Sequence, residues 1–320
     1  MDLAYTLNTQ TLSYNTKEKK RKRTKIEKKE NRIAFLFILP PVISFTIFTI
    51  IPLIVAVMFS LGDFNGATFQ YTFVGFDNFA KLLNPNSTYG SNFLKAIVNT
   101  LSFIIEVPIA IFLGLIAATL ANAKGCKKTN HLWRLLIYLP AVCSAVASNV
   151  IWRAIFSDGG TASSAGIINT LFHIDIRWLH DRIPLISAII IKNSIGSMGS
   201  AMILYYASMC NISKDYYEAA DIDGANGLQK FTKITFPMLT PVTFYLLIMR
   251  LSGCLQTYAD SYIFAAGDRD VQSIVYFIWN YGLNKQNYSI ASAAALLLGL
   301  VIMGITILQF RFSNKWVLDL

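Results

Sequence analysis

Six stretches of this sequence are each long and apolar enough to cross a lipid bilayer, and nothing else constrains its fold as much. A hydrocarbon core of about 30 Å takes about 20 residues of helix. The candidate spans lie at about 33–60, 95–120, 134–156, 184–209, 238–265 and 290–311. Pro40, Pro41 and Pro52 predict kinks in the first; Pro108 lies inside the second and Pro140 inside the third. The expected fold is an all-α integral membrane protein of six transmembrane helices. A polar tail, 1–32, precedes the first span, and a loop, 61–93, separates that span from five further helices over 94–311. A short tail, 312–320, closes the chain.

Charge then orients the spans. Of the residues, 54% are hydrophobic and only 14% charged, against about a quarter charged in soluble proteins. That balance excludes a soluble enzyme and a disordered chain. The net charge is nonetheless +10, and residues 17–32 alone hold ten Lys/Arg. Counted by loop, 19 cationic side chains fall on one side of the spans and five on the other. By the positive-inside rule both termini and the 121–133 and 210–237 loops are cytoplasmic. The basic surplus thus needs no nucleic acid to explain it. The N-terminal run is too long and too basic for a cleavable signal.

Several chemistries find no support. Cys126, Cys143, Cys210 and Cys254 are scattered, so neither a disulfide framework nor a zinc site is expected. No phosphate-cradling G-x-x-x-x-G-K-[ST] run exists, nor any H-E-x-x-H or G-x-S-x-G. His131, His173 and His180 stand singly in loops.

The 210–241 stretch, beginning at Cys210 and reading on as NISKDYYEAADIDGANGLQKFTKITFPMLTP, is an unusual loop. Ser213 can cap a short helix that ends at Gly224. Asn226 and Gln229 have capping-box spacing for a second helix. On that helix Leu228, Phe231 and Ile234 would share one face. Ala219 and Ala220 beside Glu218, Asp221 and Asp223 would let another backbone approach an acidic surface. The same pattern also suits an amphipathic segment packed on its own bundle.

This stretch resembles the EAA coupling loop of bacterial ABC-type importer permeases. Glu218, Ala219, Ala220, Asp223, Gly224, Ala225, Phe231, Ile234, Pro237 and Pro241 stand at that family's spacing. Other parts resemble its maltose or multiple-sugar branch. These are Asn99-Thr100-Leu101, the 165–179 stretch with its G-x-I-N and W-L, Tyr288–Ala293, and the FSNKWV ending of the first of two paired permeases. Two departures are Ala266-Gly267-Asp268-Arg269 where Gly-Gly-Pro is common, and Asn287 where glycine precedes the tyrosine. The resemblance implies a type-1 importer permease in the cytoplasmic membrane, with residues 218–237 docking on a separate ATPase. It implies two copies of that ATPase, which alone bind ATP and Mg, a second permease, and an extracytoplasmic solute-binding protein. This chain would bind no cofactor and catalyse no covalent step.

Ionisable residues inside spans are functional candidates. Glu106, Arg153, Lys192 and Arg250 are of this kind, and each could equally form interhelix pairs. A sugar path needs aromatic platforms with amides or hydroxyls nearby. Asn193 and Tyr205 in the fourth span, with Tyr245, Gln256 and Tyr258 in the fifth, supply that mixture. In the last span, Ala291, Ala295 and Gly299 suggest a close helix–helix seam. A polyol or glycerol-phosphate solute, drawn by Lys192 and Arg250, is the alternative to a sugar. An ion-gradient transporter is a more distant one.

Overall fold

The structure, a computed structural model, describes residues 25–66, 69–122, 130–157, 166–265 and 271–313. Most of the basic tail, Lys124, Lys127, Lys128, Cys126, the 266–269 departure and the Asn314–Val317 ending lie outside the described residues. The chain divides into two units, one ending at Ile54 and one beginning at Val55.

The first unit contains helix α1 (Lys25–Phe45) and a π-helical turn (Thr46–Ile50), and ends in the first residues of α2 (Ile51–Leu61). The π turn lies between Pro41 and Pro52, where missing proline donors loosen the hydrogen-bond ladder.

The second unit continues α2 and departs at once from an all-helical expectation. Strands β1 (Gly62–Asn65) and β2 (Gln70–Phe73) form an antiparallel hairpin with Gly62 opposite Phe73 and Phe64 opposite Tyr71. Alternating Phe64, Tyr71 and Phe73 against Asp63, Gln70 and Thr72 gives the period of two that strands require. Helix α3 (Asp77–Leu83) follows, carrying an Asp77–Lys81 ion pair of 2.6 Å.

The second predicted span is one long stretch with an interruption. Helices α4 (Thr88–Phe103) and α5 (Glu106–Asn122) meet at Ile104–Ile105. The third is not a continuous helix. α6 (Asn130–Val142) and α7 (Ala145–Ile155) meet at a bend of 102°. Pro140 offers no donor there, and Ser144 starts a new helix with extended backbone, its Oγ accepting from the Ala147 N–H at 3.2 Å. After α8 (Ile167–Phe172), the fourth span is α9 (Arg182–Cys210), unbroken over 29 residues.

The fifth span is shorter than predicted. α10 (Lys214–Ile222), α11 (Gly227–Lys230), a π turn (Phe231–Thr235) and α12 (Phe236–Met238) lead into α13 (Thr240–Leu255). The last pair is bent by 59°, where Pro237 and Pro241 flank the break. A π turn (Asp260–Phe264), α14 (Ile274–Trp279) and α15 (Tyr288–Ser313) complete the unit. Among the described residues, four helices are long and apolar enough to cross a membrane singly, and two bent pairs bring the count to as many as six.

The centre of the unit is the crossing of α5 and α9. A Cβ at Gly114 would lie 2.5 Å from the Ala201 Cβ, and one at Gly199 would lie 2.5 Å from the Ile137 carbonyl oxygen. Only glycine permits these approaches. The expected seam of Ala291, Ala295 and Gly299 is not the buried stripe of α15. Ile290, Ala294 and Leu298 are buried there with Ala291 and Ala293, while Gly299 has nothing within 4 Å of where its Cβ would be. The α15 stripe packs with Phe93, Phe277 and Tyr281 into one core cluster, so alanines and large side chains share its face.

Candidate functional site

The helix breaks surround a cavity of about 600 Å³. On α9, Asn193, Ser197, Ser200 and Leu204 recur at helical spacing and face it. On α13, Tyr245, Met249, Arg250, Gly253 and Cys254 do the same. The start of α5 contributes Glu106, the α6–α7 bend contributes Pro140, Ala141 and Cys143, and α7 contributes Asn149.

A polar network closes one wall. The Lys192 ammonium is ion-paired with Asp260, at 5% and 7% side-chain exposure, and donates to Asn149 Oδ1 at 2.8 Å. Asn193 Nδ2 donates to Asp260 Oδ2 and to Glu106 Oε2, each at 2.7 Å. Thr257 Oγ1 adds a third bond to the Asp260 carboxylate at 2.9 Å. Across the cavity the Arg250 guanidinium donates to the Ser197 carbonyl at 2.9 Å and to Ser200 Oγ. Burying a charge is costly unless it is paired and hydrogen-bonded; Lys192 and Asp260 pair with each other, whereas Glu106 and Arg250 are met by neutral amide, carbonyl and hydroxyl groups. The charged lining is Glu106, Asp260, Lys192 and Arg250, so its formal charges cancel.

Of the seven residues expected on a solute path, Glu106, Asn193, Tyr245, Arg250 and Tyr258 line this cavity. Two do not. Tyr205 is fully buried in a core cluster with Ala117, Met202 and Leu246, its hydroxyl 2.9 Å from Thr243 Oγ1. Gln256 is exposed and bonds back to the Ser252 carbonyl at 3.0 Å. The reason is angular: α13 ends at Leu255, so helical phase from the preceding span does not carry to Gln256. Asn149, Ser197 and Ser200 went unnoticed in the sequence. An asparagine inside the apolar 145–155 run was the available signal. Arg153 is exposed and donates to the Ile263 carbonyl at 3.1 Å.

The 210–241 segment forms a second candidate surface. Ser213 Oγ caps α10 by accepting from the Asp215 N–H at 3.3 Å. At its other end, Gly224 (φ +73°) and Ala225 donate to the Asp221 and Ala220 carbonyls at 3.1 and 2.9 Å. This is a Schellman stop, which needs the left-handed residue that glycine supplies. Asn226 and Gln229 exchange reciprocal bonds of 2.9 and 2.8 Å, a complete capping box. The Asp221–Lys230 ion pair and a 2.9 Å Tyr217–Thr235 hydroxyl contact fix the two helices together. No residue of α10 is buried, and Glu218, Ala219, Asp223 and Gly224 are exposed. Ile222 is 87% exposed. Ala220, Ala225, Phe231 and Pro237 are half-buried. Leu228, Phe231 and Ile234, expected on one face of a regular helix, lie partly in a π turn. Leu228 is exposed and the other two half-buried, because the π turn over 231–235 shifts the helical phase.

The remaining motifs are structural clasps. Asn99 Oδ1 accepts from the Arg182 guanidinium at 2.9 Å, and Thr100 Oγ1 accepts from the Ile274 N–H at 3.0 Å. Trp178 Nε1 donates to Asn169 Oδ1 at 2.8 Å, joining G-x-I-N to W-L. Residues 110–317 match the family described as binding-protein-dependent transport system inner membrane component. The chain belongs to that family. It is therefore a membrane-spanning transport permease of the ABC class.

Relatives of this permease include the probable ABC transporter permease protein YesP of Bacillus subtilis, 30% identical over 92% of this chain and 95% of that one. The arabinooligosaccharides transport system permease protein AraP of Halalkalibacterium halodurans is 28% identical over 89% and 88%. The lactose transport system permease protein LacF of Rhizobium radiobacter is 28% identical over 88% and 94%. A solved bacterial ABC transporter involved in import of the acidic polysaccharide alginate superposes with a TM-score of 0.75 at 25% identity, covering 90% of this chain and 96% of that one.

Proposed function

We propose that this permease carries a sugar or oligosaccharide through the cytoplasmic membrane as one subunit of an ATP-driven importer. The observation that carries the reading is the cavity beside α9 and α13: aromatic, amide and hydroxyl groups around four charges that cancel. Sugars present apolar C–H faces and hydroxyl rims, which such a lining accommodates. The relatives named for arabinooligosaccharides and lactose support the same class. A phosphate ester would draw on the two cations of the lining. Lys192 is already neutralised by Asp260, and Arg250 bonds only to the neutral Ser197 carbonyl and Ser200 hydroxyl, so the sugar reading rests on the mixed lining and the named relatives.

In this reading the chain has six spans, two of them bent, with both termini in the cytoplasm. Residues 1–32 and 312–320 are its tails, 61–93 an outer loop and 94–311 the permease core. The 210–237 segment is an EAA loop, and its exposed Ala219, Ile222 and acidic side chains meet a groove on the ATPase. Two ATPase copies bind ATP and Mg, and this chain binds neither. A second permease completes the pore, and an extracytoplasmic binding protein delivers the solute. The solved alginate transporter complex with a pentasaccharide-bound periplasmic protein supports the binding-protein partner.

The test is uptake of labelled arabinooligosaccharides and lactose by cells carrying Glu218→Lys or Gly224→Leu variants. Uptake is expected to vanish while the chain remains membrane-inserted. Wild-type uptake in both variants defeats the docking role.

A further inference from the structure

The hairpin that follows α2 has two unlike faces. Paired strand residues point to the same side, so Gly62 and Phe73 share a face with Phe64 and Tyr71. That face is apolar. The other carries Asp63, Thr72 and Gln70.

Its position is fixed at both ends. At one end, Val74 and Gly75 donate to the Leu61 carbonyl, each at 2.9 Å, and Tyr71 Oη donates to the Met58 carbonyl at 3.1 Å. Asn78 Nδ2 from α3 donates to Ser60 and Gly62 carbonyls at 3.0 and 2.8 Å. The hairpin thus begins where the apolar Phe35–Leu61 span stops. At the other end, the Phe64 N–H donates to Ser289 Oγ at 2.9 Å, and Phe64 lies 6.0 Å from the Tyr288 ring. Tyr288 is the first residue of the last span. The ribbon is thus tied to the end of one apolar helix and the start of another.

Phe69, Phe73 and Phe76 are nevertheless 81%, 73% and 76% exposed. Aromatic rings concentrate at the membrane–water boundary, where an apolar body and a wet surrounding coexist. We infer that the hairpin and the turn into α3 form an interfacial anchor, with Phe73 and Phe76 set among lipid headgroups and acyl ends. Met58, whose carbonyl accepts from Tyr71 of that face, is itself exposed. The anchor fixes the height of the outer loop and the tilt of the span end below it.

The test uses the full chain, its four cysteines replaced, reconstituted in phosphatidylethanolamine–phosphatidylglycerol vesicles. Nitroxide labels are placed singly at 70, 72, 73 and 76, with 301 in mid-α15 as the bilayer reference. The collision rate with a water-soluble nickel chelate should be severalfold lower at 73 and 76 than at 70 and 72, and oxygen collision correspondingly higher. A benzophenone side chain at 76 should give lipid adducts on irradiation. Equal nickel collision at 72 and 73 overturns the inference. So does protection at 73 and 76 that arises only when a soluble protein is added, since that marks a protein-docking face.

Discussion

Replacing Asp260 by asparagine removes the carboxylate that holds the buried Lys192 ammonium. The ammonium then keeps the neutral Asn149 oxygen, 2.8 Å away, as its acceptor in this network. Breaking a buried pair by deleting one partner costs about 3–5 kcal/mol. Lys192→Met is the milder change, because Asp260 retains bonds from Asn193 and Thr257 at 2.7 and 2.9 Å. A cost of about 2 kcal/mol is expected for it, since hydrogen bonds to a charged group contribute roughly 1.5–3 kcal/mol each. For a chain of this size the Asp260→Asn cost corresponds to a fall in Tm of roughly 4–8 °C. The assay is thermal unfolding of the detergent-solubilised chain followed by size-exclusion chromatography. Joining both changes should cost only about 2 kcal/mol, because no uncompensated charge remains, giving a coupling energy of about 3–5 kcal/mol. Single variants within about 0.5 kcal/mol of wild type, with an additive double, would refute the buried pair.

Three further outcomes follow from the same geometry. Gly114→Ala should destabilise by about 1–3 kcal/mol, since its Cβ would meet Ala201 at 2.5 Å, whereas Gly299→Ala should stabilise by about 0.4–1 kcal/mol; melting curves of the two separate the readings. Asn226→Ala removes the side chain that accepts from the Gln229 N–H and should cost about 1 kcal/mol. Solute-stimulated ATP hydrolysis by the assembled importer should fall with it, measured as phosphate release. Asn99→Ala strips the acceptor from Arg182 and should cost about 1.5–3 kcal/mol, read as lost yield of the monodisperse chain.

Local physics was the legible part of this sequence. The Ser213 cap, the Gly224 stop and the Asn226–Gln229 box all follow from rules that act within four residues, and the structure places them as read. The unbroken fourth and sixth spans were legible from length and hydropathy. What escaped depends on geometry between distant residues. Lys192 and Asp260 are 68 positions apart, so their pairing left no local pattern. The Cys143–Ser144 break was hidden inside an apolar run where only Pro140 hinted at it. Tyr205 shares its residue type with true cavity walls, yet helical phase turns it into the core. The hairpin escaped because strands of four residues were too short to register beside spans of twenty-odd.

The most direct test of the account is the energy source of transport. Membrane vesicles holding the assembled importer and its binding protein, loaded with ATP, should accumulate a labelled oligosaccharide in the presence of a protonophore, and should stop when the ATP is replaced by a non-hydrolysable analogue. Uptake that persists without ATP and collapses with the protonophore would contradict it.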